Sequence, residues 1–140
     1  MAPDATLIRN LVNLYAERLD DGDFDGVAAL FAHATFGSSR RASPLTGTEE
    51  VRRVYDNVML YDGRPRTKHV LTNHQITWQG DQASCRCSFT VLQAAPDVPL
   101  QIILVGRYED RLARTPSGWE FRSRVIHVDF TGDLTHHQPT

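Results

Sequence analysis

Long apolar runs are missing from this sequence of 140 residues. No stretch approaches the ~20 consecutive apolar residues that a membrane-spanning helix needs. The first ten residues, MAPDATLIRN, lack the uninterrupted apolar segment of a secretion signal. The expectation is therefore a cytoplasmic protein with no membrane partner. Cysteine is scarce. Cys85 and Cys87 lie two apart in a segment with strand character, where both side chains face the same way about 6.5–7 Å apart. That geometry is poor for a disulfide, and one CxC without a second Cys/His pair is a weak metal signal. Small, buried, reduced side chains are expected. An excess of one charge is also missing, since 15 basic residues stand against 17 acidic ones. Nothing in that balance asks for nucleic acid or an anionic membrane. Arg40, Arg41, Arg52 and Arg53 have no aromatics interleaved and read as solvated faces. No GxGxxG, GxxxxGK[ST], HExxH or GxSxG occurs, which sets aside the chemistries those motifs serve.

What is present fits one domain over residues 1–140, with a core at about 6–134 and a polar tail at 135–140. A chain of this length buries roughly two thirds of the surface its unfolded form exposes, enough for a core and a pocket. Ile8, Leu11, Val12, Tyr15 and Leu19 repeat at the intervals of an amphipathic helix that Gly22 breaks. Asp23 is a good N-cap for a short second helix whose face is Phe24, Val27, Ala28 and Phe31. After the polar stretch at 37–44, Thr46 and Glu49 have capping-box spacing, and Val51, Val54, Tyr55, Val58 and Met59 predict a third helix. From Lys68 onward VLTNHQITW, ASCRCSFTVLQ, LQIILVGRYEDRLAR and WEFRSRVIHVDF are rich in β-branched and aromatic residues with turns between them. They predict an antiparallel meander. Helices followed by strands give an α+β fold with the helices on one face of a curved sheet.

Candidate chemistry is concentrated in a few places. In a regular strand His69 shares its face with Leu71, Asn73 and Gln75, whereas His74 shares the other face with Val70, Thr72 and Ile76. Regular alternation therefore separates the two histidines. On the last strand Phe121, Val125, His127 and Asp129 fall on one face. His127 beside Asp129 suits acid/base work, or is a surface pair near a strand end. Asp20 and Asp21 end the first helix, where the macrodipole disfavours acids. They are either solvated end residues, or one of them turns inward to a sheet residue. His136 and His137 lie in the polar tail without a ligand-spaced partner and read as solvated.

LYAERLDDGDFDGVAALFAHATF, GTEEVRRVY, TKHVLTNHQI and GRYEDRLARTPSGWEFRSRVIHVDFTGDL together resemble a SnoaL-like protein of the nuclear-transport-factor type. That superfamily includes scytalone dehydratase, ketosteroid isomerase, polyketide cyclases and limonene epoxide hydrolase, and it fixes a fold more tightly than a reaction. The resemblance implies a cone-like α+β barrel, with three N-terminal helices packed on a strongly curved, mainly antiparallel sheet. It also implies an apolar pocket inside the cone and a homodimer formed through the sheet.

On the dehydratase pattern, Asp20 and His69 match a catalytic Asp–His pair, while the position of the second catalytic His falls at Gln93. On the isomerase pattern Tyr15 matches the oxyanion tyrosine, but the general-base position falls near Ser38. The late acid of the cyclases and the epoxide hydrolase corresponds to Asp129, with Arg107 as a partner. The implied protein is a small cofactor-independent lyase or isomerase acting on an apolar cyclic or polyketide-like molecule. In that reading Asp20 and His69 are catalytic, and Tyr15, Asn73, Gln93, His127 and Asp129 line or orient. The alternatives are a non-catalytic small-ligand-binding domain and an interaction subunit. His74 becomes a sheet-face or dimer-contact residue.

Overall fold

The amphipathic stripe read from the first segment commits α1 (Asp4–Asp20) to the core, where Ile8, Val12, Tyr15, Ala16 and Leu19 are buried. The computed structural model describes residues 3–138. Beyond α1 these form α2 (Phe24–Ala29), β1 (Thr35–Ser38), β2 (Leu45–Thr46), α3 (Gly47–Arg53), β3 (Thr67–Gln79), β4 (Gln82–Gln93), β5 (Gln101–Thr115) and β6 (Gly118–Thr131). Gly22 turns the chain between the first two helices at φ +78°, and a Cβ there would lie 2.3 Å from the Gly63 carbonyl oxygen. Only glycine meets both conditions. Asp23 caps α2, its Oδ1 accepting the Gly26 N–H at 2.9 Å.

α3 ends at Arg53, earlier than the apolar spacing predicts. The chain then tightens into i→i+3 turns, Val54 N–H to Val51 and Val58 N–H to Tyr55. These keep Tyr55 and Val58 buried while Met59 emerges exposed. The capping box is displaced by one residue, because the Thr46 N–H donates to the Glu50 carboxylate and Glu49 pairs with Arg53 instead.

β3 to β6 form the expected antiparallel meander within a six-stranded sheet ordered β2-β1-β6-β5-β4-β3. β1 adds in parallel to β6, and β2 pairs antiparallel with β1. These two short strands in and beside the polar stretch carry too few residues to show alternation. On the helix-facing side, Ala83, Cys85, Cys87, Phe89, Val91 and Gln93 of β4 are all buried. Phe31 stacks on Phe121 at 4.9 Å and Phe89 on Tyr108 at 4.5 Å, so aromatic rings fill the centre of the cone. Both cysteines are free, and burial pushes the Cys85 thiol up to about 11 and Cys87 to about 12.

Two sheet irregularities alter the expected faces. The β3–β4 register slips between Thr72 and Gln75, where Asn73 takes a left-handed φ of +59°. A bulge adds one residue to one strand and reverses the parity beyond it. His69 and Leu71 before it, and His74 and Ile76 after it, consequently all turn toward the helices. The slip between Arg111 and Leu112 does the same on β6, leaving Phe121 and Arg124 inward and Val125 exposed.

Candidate functional site

The last residue of α1 meets the first residues of β3. Asp20 Oδ1 accepts the Thr67 hydroxyl at 2.9 Å and His69 Nδ1 at 2.6 Å, while Oδ2 accepts the His69 backbone N–H at 2.8 Å. The side chains of His69 and Asp20 are 6% and 11% exposed. Of the two acids at the helix end, Asp20 turns inward and Asp21 is exposed.

A carboxylate only accepts, so its bond to Nδ1 places the proton there and leaves the lone pair of the neutral ring on Nε2. Among the described residues no side chain takes that Nε2. A cleft of about 330 Å³ adjoins the pair between α1 and β3, lined also by Asn13, Ala16, Glu17, Asp21, Lys68 and Leu71. A second of about 400 Å³ touches Asp20 from the side of Arg64, Arg66, Thr67 and Leu100. The arrangement can hold one imidazole tautomer, take up a proton at Nε2 and stabilise the cation so formed.

Gln93 sits opposite Thr67 in the β3–β4 register and is fully buried. Its Nε2 donates to the Pro65 carbonyl at 3.1 Å and to the His136 carbonyl at 2.9 Å. The C-terminal segment is thus not a solvated tail: the expectation is corrected for His137, whereas the His136 side chain is 39% exposed and only its carbonyl is engaged. Leu134 packs on the core, the Tyr61 hydroxyl donates to the His136 carbonyl at 2.7 Å, and the Met59 N–H donates to the His137 carbonyl at 2.7 Å. His137 Nδ1 is buried without a hydrogen-bond partner. Burial, and secondarily the His69 charge, depress the His137 ring to about 4, while Asp20 works the other way. The polarity of the tail concealed this docking. The readable signals were Leu134 and the Asp133-x-Thr135 turn, in which Asp133 Oδ1 accepts the Thr135 N–H and hydroxyl.

Four other expected site residues lie elsewhere. Tyr15 is buried one turn before Leu19, but its hydroxyl meets the Tyr55 hydroxyl at 3.0 Å rather than His69. Asn73 is exposed at the bulge, beside Gln75, Arg86 and Arg107 on the outer face. The alternation that placed it with His69 ignored the extra residue. His127 and Asp129 do face one way, outward, yet with separate partners. Arg107 holds Asp129 at 3.3 Å, and Glu109 lies 3.4 Å from His127. His74 is corrected in the opposite sense. The bulge turns it inward, where Nε2 is buried and unpartnered, and burial, followed by the Arg9 charge, lowers its pKa.

One polar cluster was not anticipated. Arg124 is 0% exposed, and its guanidinium grips Asp110 with two bonds of 2.7 and 2.8 Å. It lies 3.8 Å from the Tyr108 ring centroid and 4.3 Å from that of Tyr15. Burial works against this charge, but the Asp110 carboxylate and its hydrogen bonds outweigh burial and keep the arginine firmly protonated. Burial also raises the tyrosine hydroxyls of Tyr55 and Tyr108 well above their ordinary value. The strand alternation of β6 gave no hint of an inward Arg124 paired across the sheet.

The profile of the SnoaL-like domain matches residues 1–125. None of the curated proteins matches this sequence. Among solved structures, an NTF2-like protein with a cystatin-like fold from Novosphingobium aromaticivorans is 22% identical, over 89% of this chain and 81% of that one, with a TM-score of 0.75. A protein from the same species provisionally named a scytalone dehydratase is 20% identical over 92% of this chain and 86% of its own, with a TM-score of 0.76. Another provisionally named an aromatic ring hydroxylase is 26% identical over 97% and 99% of the two chains, also at 0.76. These likenesses establish the fold, three helices on a curved and mostly antiparallel sheet, and the profile match establishes the lineage. The chain belongs to the SnoaL-like family, built on the NTF2-like α+β fold.

Proposed function

We propose that the chain is a small acid/base enzyme of the lyase or isomerase type, dehydratase- or cyclase-like, acting without a cofactor on an apolar cyclic or polyketide-like molecule. The observation that carries the reading is the Asp20 carboxylate, which accepts three hydrogen bonds and fixes His69 by two of them. A C–H proton next to a carbonyl passes to His69 Nε2, the electron pair moves to the carbonyl oxygen, and Asp20 stabilises the imidazolium. The proton then returns at another atom, or a leaving hydroxyl departs as water. Such positioned proton transfer contributes about 10²–10⁴ in rate. The provisional dehydratase name of one structural relative is in keeping with this class.

The test uses 5-nitrobenzisoxazole, which opens to a coloured cyanophenolate when a base removes its ring proton. The wild-type chain should turn it over faster than free imidazole, and His69→Ala should lose about 100-fold or more while its thermal midpoint is retained. An unchanged rate refutes the role of His69. Ligand binding without turnover is the second reading, favoured by Gln93, whose amide is committed to two carbonyls and moves no proton. A chain that binds planar ketones yet opens the probe no faster than free imidazole supports that reading. A homodimer through the sheet belongs to the same proposal, since Val70, Ile102 and Phe130 leave apolar surface exposed on three of its strands. Sedimentation as a monomer would count against the dimer.

A further inference from the structure

We propose that the second cleft beside Asp20 recognises a carboxylate, so that the molecule brought to His69 is an apolar compound bearing an acid group. This names the substrate class of the site above and rests on the acid/base reading of Asp20 and His69.

The chain enters β3 as Arg64-Pro65-Arg66-Thr67-Lys68, and its burial alternates along that run. Pro65 and Thr67 are buried, whereas Arg64, Arg66 and Lys68 are exposed. Lys68 is the only lysine in the sequence. All three cations line the cleft of about 400 Å³ that touches Asp20. Elsewhere Arg52, Arg107, Arg114 and Arg124 each pair with an aspartate. Among the described residues no carboxylate pairs with Arg64, Arg66 or Lys68. A cleft lined by uncompensated charge of one sign concentrates ligands of the other.

Arg66 is held in place. Its backbone keeps a left-handed φ of +61°, a costly conformation for so large a residue. Its carbonyl accepts the Ala94 N–H at 3.2 Å, and its Nε donates to the Ala94 carbonyl at 2.9 Å. With Nε so occupied, the two Nη groups remain to grip a planar carboxylate. The other wall is apolar. Leu92 lies across from Lys68 in the β3–β4 register, and Leu92, Ala94 and the exposed Leu100 line the cleft. An inorganic anion would leave that wall in water, whereas the body of an organic acid covers it.

The charges also set a direction. The two clefts share Asp20, Asp21 and Lys68 and so meet at Asp20. The first adds Glu17 and His69 and no arginine, while the second adds Arg64 and Arg66 and no further acid. A ligand with one anionic end therefore lies with its carboxylate in the second cleft and its reacting C–H in the first, against His69. Asp21, exposed on both rims, opposes the anion.

Calorimetry with 2-naphthylacetate and its neutral amide tests the recognition, and inhibition of 5-nitrobenzisoxazole turnover tests its junction with His69. The wild-type chain should bind the acid about 10-fold more tightly than the amide, and the acid should inhibit competitively. Sodium chloride at about 0.5 M should reduce that preference below about threefold, because exposed charges are screened. Arg64→Gln combined with Lys68→Gln should abolish the preference, as should Arg66→Gln, while Asp21→Asn should increase it. Urea midpoints establish that each variant is folded, and the salt series reads the same charges without any substitution. Equal affinity for acid and amide overturns the proposal and leaves Asp20 and His69 in place. A preference that survives loss of the cations, or an acid that binds without inhibiting, overturns it too. An unchanged rate in His69→Ala instead removes the reading beneath it, and this substrate assignment with it, even where the preference for the acid persists.

Discussion

Replacing Asp20 by Asn separates what this carboxylate does for the fold from what it does for the chemistry. Its oxygens receive three donors, the Thr67 hydroxyl, His69 Nδ1 and the His69 backbone N–H. An asparagine has one acceptor oxygen and one NH₂. If the NH₂ faces the backbone N–H of His69, two donors collide, so the amide turns the other way. Its oxygen then keeps the backbone bond, and its NH₂ faces Thr67 and Nδ1. The hydroxyl can rotate to accept, and the imidazole can accept at Nδ1 by moving its proton to Nε2. All three contacts survive in neutral form. Charge-assisted bonds of about 1.5–3 kcal/mol become neutral ones of about 0.5–1.5, a loss of about 1–1.5 kcal/mol for each of the three and about 3–4.5 kcal/mol in total. At about 4 °C per kcal/mol the thermal midpoint falls by roughly 12–18 °C. The catalytic loss comes on top of this. Nε2 no longer offers a lone pair to the cleft, and no anion stabilises the imidazolium, so the rate should fall about 10²–10⁴-fold. Turnover of 5-nitrobenzisoxazole at a temperature where both proteins are folded gives the comparison. A folded Asp20→Asn protein that keeps its rate within threefold would refute the tautomer argument.

The remaining predictions concern stability and reactivity. Asp110→Ala strands the buried Arg124 guanidinium and should cost about 3–5 kcal/mol, whereas Asp110→Leu combined with Arg124→Met should recover most of it. With a slope of about 2 kcal/mol/M in urea, the single change lowers the midpoint by about 2 M, and a shift under 0.5 M would contradict the burial of the pair. Burial holds the His137 ring down at about 4 in the folded chain, below its ordinary 6.5. Its folded pKa is depressed, so its contribution to stability is complete above about pH 6.5 and is lost as pH falls toward 4. The loss is at most about 3 kcal/mol, because undocking of the tail alone relieves it. Urea midpoints that fall less in His137→Ala than in wild type over that range would confirm the sign. Cys85 and Cys87 should resist a disulfide reagent until the chain unfolds, since burial holds both as thiols. Rapid reaction of the native protein would contradict this.

The architecture was legible because long elements repeat their signal. α1 carries its stripe over more than three turns, and β3 to β6 each run for twelve or more residues. The pair at Asp20 and His69 was legible only through resemblance, since nothing local distinguishes Asp20 from the exposed Asp21 beside it. The misplacements share one cause. Strand parity is a strict count, and a single unpaired residue at Asn73 or after Phe121 inverts every assignment beyond it. Hence Asn73 left the site and His74 turned inward. Tail docking was signalled only by Leu134 and the Asp133-x-Thr135 turn, because its bonds go to the backbone carbonyls of His136 and His137, which no side-chain pattern records.

β3 is the last strand in the sheet order, with β4 as its partner. An outermost strand presents amide groups to which another molecule's strand can add. The backbone N–H of His69 is one such group, and Asp20 Oδ2 occupies it. The carboxylate that orients the imidazole therefore also plugs the open border of the sheet. The proposed proton transfer and resistance to intermolecular strand pairing would then depend on one side chain. Selection against strand pairing would preserve Asp20 even in a chain that turns over no substrate.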